Sequence, residues 1–182
     1  MIKLARANAK KVEATNVDFR YGEMEDIPLP DASVDVIISN CVINLSPDKD
    51  AVFGEAFRVL RPGGHMTVSD VVFDGDLPRS IRSRLDAWAG CIAGALDESV
   101  YVNKIRAAGF EEVRILSRRH ATADQVADVA AADEEPQMVV VGPDGHIVEG
   151  EKAQALLDKA VISSHDLARK IASVNVTARK PV

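Results

Sequence analysis

Pro62-Gly63-Gly64 cuts a helical stripe away from an apolar strand, and this one breaker constrains the chain more than any other feature. Before it, Val52, Phe53, Ala56, Phe57, Val59 and Leu60 recur at the spacing of one helix face. Ser46-Pro47 supplies a capping hydroxyl and then a proline at the first helical position, so the pattern predicts a helix over 46–61. After the breaker, residues 65–71 read as a strand apolar enough at Met66, Val68 and Val71 to lie centrally in a sheet. Upstream, Val34-Asp35-Val36-Ile37-Ile38-Ser39 reads as a second buried strand. Strand, helix and strand in this order predict an α/β fold, with parallel strands joined by a right-handed crossover.

The flanks extend the alternation. Residues 2–12 form an amphipathic helix with no capping residue before it, 17–21 a short strand, and 22–33 a loop holding Pro28 and Pro30. Helical residues follow over 78–95 and 98–108, the second run closed by Gly109, then a strand over 112–117. Residues 121–135 are rich in alanine and acids and suit a helix or a connection. Residues 139–141 and 146–148 flank Gly142-Pro143-Asp144-Gly145 as a hairpin. A helix over 152–160, resuming to residue 170, precedes a last strand over 172–178.

The chain has 182 residues, enough for one domain with a real core. Its 22 basic and 28 acidic residues give a formal net charge of −6, and no basic cluster interleaves with aromatics, which excludes nucleic acid as the expected partner. No apolar run suits a membrane span and the first residues do not read as a secretory signal, so a cytoplasmic location without a membrane partner is expected. The two cysteines, Cys41 and Cys91, are spaced for neither a disulfide framework nor a zinc knuckle, and the scattered His65, His120, His146 and His165 suggest no metal site.

Three segments together carry a family resemblance. They are Gly22-Glu23-Met24-Glu25-Asp26-Ile27-Pro28-Leu29-Pro30, then residues 34–45 ending Ser39-Asn40-Cys41-Val42-Ile43-Asn44-Leu45, then Arg58-Val59-Leu60-Arg61-Pro62-Gly63-Gly64. In this order the chain resembles Rossmann-like S-adenosylmethionine methyltransferases beyond their nucleotide loop. The stretch 39–45 with Trp88-Ala89-Gly90-Cys91-Ile92-Ala93-Gly94-Ala95-Leu96 is similar to the arsenite methyltransferase branch, as is the closing run 170–181. The resemblance implies a methyltransferase core over 1–119, an insertion or covering segment over 120–169, and a final antiparallel core strand over 170–182. It also implies S-adenosylmethionine as cofactor and a small-molecule substrate, arsenite or its thiol conjugates, in arsenic detoxification.

Trivalent arsenic is soft and thiophilic, and soft centres select thiolates. The resemblance therefore makes Cys41 and Cys91 the arsenic-holding pair, although cysteines read from composition alone are more often small buried apolar residues. Methyl transfer to the arsenic lone pair needs no acid or base, so positioning supplies most of the rate. On the same resemblance Met24 and Glu25 meet the cofactor's adenine and Asn40 lies beneath its methionine portion, at the carboxyl ends of strands where open α/β sheets bind ligands. Asp70 reads as a turn former, Trp88 as a core anchor, and Arg118-Arg119-His120 as a solvated strand end.

No Gly-x-Gly precedes the first matched segment, and the strand, glycine-rich turn and acid-ending strand that open the family are missing, as is its upstream cysteine. The chain is thus expected to be amino-terminally truncated, lacking the first two strands of its sheet, with impaired activity. The strand at 34–39 is then an exposed apolar edge, and self-association through it is expected unless 17–21 covers it. Two other readings fit the residues: a methyltransferase for a small organic acceptor, which needs neither thiol, and a non-catalytic thiol module that binds arsenite.

Overall fold

A computed structural model describes residues 1–75, 94–124, 140–141, 147–148 and 164–182. The expected helices over 78–95 and 152–160, and the stretch 121–135 read as a helix or a connection, fall wholly or largely outside these residues, as do Trp88, Cys91 and the turn at 142–145. The described elements are helix α1 (Ile2–Lys11), strand β1 (Val34–Asn40), helix α2 (Lys49–Val59), strand β2 (Leu60–Phe73), helix α3 (Glu98–Ala107), strand β3 (Glu111–His120), the short strands β4 (Val140–Val141) and β5 (Ile147–Val148), helix α4 (Ser164–Lys170) and strand β6 (Ile171–Arg179).

Four strands form one mixed sheet in the order β1-β2-β6-β3, with the last strand antiparallel as expected. β1 and β2 run parallel, and β6 is antiparallel to both β2 and β3. β4 and β5 pair antiparallel as the anticipated hairpin. Along β2, Met66, Val68, Asp70 and Val72 alternate onto one face, opposite Ala178, Val176, Val174 and Ala172 of β6. The apolar members are buried under α2 and α3. Phe53 of α2 meets Tyr101 of α3 edge-on at 5.5 Å, an arrangement that adds about 0.5–1.5 kcal/mol to the area the rings bury.

The capping chemistry accounts for where the helices lie. α3 starts at Asp97, whose carboxylate accepts from Ser99 and Val100 N–H, and its end passes into Gly109 at φ +103°. α2 starts later than its Ser46-Pro47 signal. Asp48 is the cap, accepting from Ala51 N–H at 3.0 Å, while Ser46 Oγ accepts from Asp48 N–H and donates to Glu25. The Ser46 hydroxyl is committed to its own turn, so the preceding residues form only a short 3-10 turn, Ile43–Leu45.

Two further expectations give way. Pro62-Gly63-Gly64 ends the helix, but β2 already begins at Leu60 and carries the triplet as an irregularity, the register jumping from Val34–Leu60 to Val36–His65. A bulge tolerates a proline without N–H, and Gly64 lies so close to Asp35 that a Cβ would sit 2.8 Å from that carbonyl oxygen. Residues 17–21 form no strand. Among the described residues no strand pairs with it, and the segment is held by side chains instead, Arg6 donating to Phe19 O and Arg20 to Asp18 and Pro28 O. Helix α1 forms as expected but buries none of its residues.

Among the described residues β1 pairs only with β2, so the expected edge is there. Ile37 packs on the core, whereas Val36 and Ile38 alternate to the opposite face, Ile38 being 81% exposed. An apolar edge strand with free backbone groups is a template for another strand. The full chain is expected to show a concentration-dependent rise in mass by light scattering, and Ile38→Lys to suppress it. A wild-type mass that stays monomeric at every concentration refutes this.

Candidate functional site

The carboxyl end of β1 delivers the chain into a tight loop. Asn40 is its last residue, pairing in register with Ser69 of β2, and Cys41 follows in the left-handed region at φ +53°. A side chain adopts that conformation at a cost of order 1–3 kcal/mol, and it persists only where its surroundings enforce it. Here the Cys41 N–H donates to Ser69 O at 2.8 Å, and the thiol side chain is half-buried.

Beneath the loop lies a buried polar cluster. Asn44, 2% exposed, donates from Nδ2 to Val71 O at 2.7 Å. Lys49 reaches back from the first turn of α2, its Nζ donating to Asn44 O at 3.3 Å and Ser46 O at 3.0 Å. Asp70, fully buried in β2, accepts from the Tyr101 hydroxyl at 3.2 Å and from Val71 N–H. Burial pushes the Asp70 carboxyl up, against the pull of the Val71, Tyr101 and Asn44 hydrogen bonds and of the Lys49 charge. Burial pulls the Lys49 ammonium down, partly offset by Asp70. The Tyr101 hydroxyl is driven up, first by burial, then by Asp70, and by the nearness of Cys41.

A second loop borders the first. Arg58 of α2 donates to Leu29 O, Ile27 O, Asp31 and Glu55, while Glu55 accepts from Ile27 N–H at 2.8 Å. The Arg58 hydrogen bond, ahead of every other influence, holds the Glu55 carboxyl below its ordinary value. This clamp fixes residues 27–31 on α2 and so places Met24 and Glu25 just before them. Met24 packs partly buried against the core, and Glu25 accepts the Ser46 hydroxyl, which ties the two loops together. Beside Met24 opens a cavity of about 460 Å³, lined by Asp18, Arg20, Ile27 and Leu29 among others.

Glu25 is tied through Ser46 to the loop after β1, and Asn40 and Cys41 follow one another at the end of β1, whereas Met24 lies beside a cavity that no β1 residue lines. Cys91 lies outside the described residues. Asp70 is not a turn former. It stands within β2, and its place in the alternation Met66, Val68, Asp70, Val72 puts it on the apolar face, a signal present in the sequence. Lys49 carried no such signal, since a lysine in a first helical turn is ordinarily solvated. Among the described residues no group of three His, Cys, Asp or Glu side chains is arranged to hold a metal ion, and no helix is long and apolar enough to cross a membrane.

A mixed open sheet of this order, with its parallel pair β1–β2 covered by α2, is a Rossmann-like α/β architecture. Residues 1–160 match the family model described as methyltransferase domain, and the chain belongs to that family. It is 44% identical over 122 residues to the arsenite methyltransferase of Halobacterium salinarum, covering 67% of this chain and 31% of that one, and 44% identical over 87 residues to the human arsenite methyltransferase, covering 46% and 23%. The chain spans about a third of the length of the first of these relatives and less of the second. Among solved structures, CrArsM, an arsenic(III) S-adenosylmethionine methyltransferase from Chlamydomonas reinhardtii, superposes with a TM-score of 0.62 at 29% identity over 98% of this chain and 50% of that one. YcgJ from Bacillus subtilis superposes at 0.69 with 14% identity over all of this chain and 79% of that one, a likeness of fold alone.

Asp70 binds its proton more tightly folded than unfolded, so its contribution to stability is full below the usual carboxylate range and fades as pH rises through its raised native value. The stability of Asp70→Asn relative to wild type, from urea unfolding, should therefore move in favour of the Asn variant between about pH 4 and pH 7. A difference that is flat with pH contradicts the desolvation of Asp70.

Proposed function

We propose that the chain belongs to a methyltransferase that acts on thiol-bound trivalent arsenic, with Cys41 and Cys91 as the thiolates and detoxification as the role. The observation that carries this reading is the placement of Cys41. It follows the carboxyl end of β1 directly, in an enforced left-handed conformation, in a chain 44% identical over 122 residues to an arsenite methyltransferase. A thiol held rigidly at a strand end is suited to a soft electrophile that must be oriented and not activated. The relatives named for arsenite support the substrate, and two thiolates leave the lone pair of trivalent arsenic exposed.

The residues present fit S-adenosylmethionine in part. Met24 beside its cavity and Glu25 would hold the adenine end, and Asn40 the methionine end. When bound, the cofactor supplies an electrophilic methyl group on a sulfonium centre. The chain's own contribution is positional: Arg58 fixes the Met24–Glu25 loop, and β1 fixes Asn40 and Cys41 at its carboxyl end. No group in the described site is needed to move a proton, which agrees with the burial of Asp70 and Tyr101 away from solvent.

Arsenite titration of wild type, Cys41→Ser and Cys91→Ser tests the thiol pair, with each substitution expected to weaken binding strongly. Equal affinity in all three proteins sinks the reading. Because only Met24, Glu25 and Asn40 are on hand as cofactor contacts and no glycine-rich turn precedes them in these 182 residues, calorimetry on the full chain should find S-adenosylmethionine binding weak or undetectable. A dissociation constant in the low micromolar range, roughly −8 kcal/mol, would show that these three contacts underrate the site.

A further inference from the structure

Strand β3 lies at the edge of the sheet away from β1. Among the described residues it pairs with β6 alone, over ten residues where a strand commonly has about five or six. Its side chains are exposed apart from Val113, which packs on the core. Leu116 is 62% exposed and Ile115 37%. Irregularities between Glu111 and Arg114 and between Ile115 and Ser117 bend the strand without covering its outward N–H and C=O groups. Edges that avoid partners are kept short or guarded by charge. β3 is long, and its charge is sorted: Glu111 and Glu112 stand at its start, Arg118 and Arg119 near its end. Charge of one sign would repel a second copy in either direction, whereas sorted charge repels only a parallel one.

We infer that β3 is the interface for a second copy of this chain, the two β3 strands running antiparallel about a two-fold axis. The midpoint of the strand falls between Ile115 and Leu116, so the acidic start of each copy meets the basic end of the other, and the two apolar residues meet their counterparts at the axis. Opposite charges facing each other across a ladder stabilise it, and like charges destabilise it. Within one copy Glu112 is held by Arg114 at 3.4 Å and Arg179 at 3.8 Å, and Arg118 by Glu98. Glu111 and Arg119 form no ion pair among the described residues, which leaves them for the partner copy. A two-fold contact uses every pair twice and closes after two copies, joining two four-stranded sheets into one.

The test is sedimentation of the full chain carrying Ile38→Lys, which takes the β1 edge out of the association. The expected species is a dimer whose dissociation constant rises with salt, because exposed charges are screened. Glu111→Arg and Arg119→Glu, added singly, should each weaken it about tenfold or more, and added together should return it towards the value of the parent. Loss of fold cannot mimic that recovery. Both side chains are exposed, so each variant is expected to keep the urea unfolding of its parent. Should a reversal disturb unfolding, Leu116→Arg, which sets like charges together near the axis, carries the comparison and should separate the copies. A dimer indifferent to these substitutions, or a double reversal no tighter than the single ones, overturns the inference. So does a monomer at every concentration, which leaves the edge to a strand of another protein.

Discussion

The structure depends on the pairing of β2 with β6. Their register runs unbroken from His65–Arg179 to Phe73–Ile171, and it joins the parallel half of the sheet, β1 and β2, to the antiparallel half, β6 and β3. Every apolar residue that these two strands turn inward lands in the core beneath α2 and α3. A slip of one residue would exchange Val174 and Val176 for Ser173 and Asn175 on that face, so burial itself fixes the register. Lys180, just past β6, closes the assembly by donating to Phe57 O and Leu60 O at the end of α2 while its ammonium lies 4.5 Å from the centre of the Phe57 ring. One strand from the far end of the sequence thereby holds the central helix and strand in place.

That seam also sets what the site can be. Because β2 is gripped from both sides, Ser69, Asp70 and Val71 are a rigid floor on which the residues after β1 must settle. Cys41 N–H, Asn44 Nδ2 and the Tyr101 hydroxyl all find their acceptors there. A neutral hydrogen bond contributes about 0.5–1.5 kcal/mol net, so the Cys41 and Asn44 bonds together are comparable with what a left-handed cysteine costs.

The framework was legible in the sequence because it obeys local rules. The strands β1, β2 and β6, the stripe of α2, the Gly109 end of α3 and the antiparallel last strand all follow from periodicity and caps. Errors arose where a tertiary partner decided the outcome. Ser46 looked like a cap and instead served its own turn and Glu25; residues 17–21 had strand composition but pair with no described strand; the strand expected from His65 begins at Leu60 and carries Pro62-Gly63-Gly64 within it. The site was legible only in part for the same reason. Cys41, Asn40, Met24 and Glu25 sit in recognisable motifs, whereas Lys49 and Tyr101 acquire their roles only when α2 and α3 fold over Asp70.

Left-handed residues also occur at Glu13, Ala32 and Glu112, but one loop combines such strain with buried polar groups. A left-handed cysteine, a lysine buried against two carbonyls, a carboxyl buried in an apolar face and a glycine pressed against a carbonyl oxygen all gather around Asn44. An apolar core would be more stable without them, since a buried charge that loses its partner is costly and a satisfied one is at best about neutral against a hydrophobic replacement. Their concentration at one loop end, beside a described core otherwise made almost wholly of Phe, Val, Ile, Leu, Met and Ala, marks that loop as the place where shape counts for more than stability. Such a cluster resists small adjustments, because each member's partner is backbone or is itself held by backbone. The loop is built for one geometry, the property required of a site whose task is to hold a reactant still.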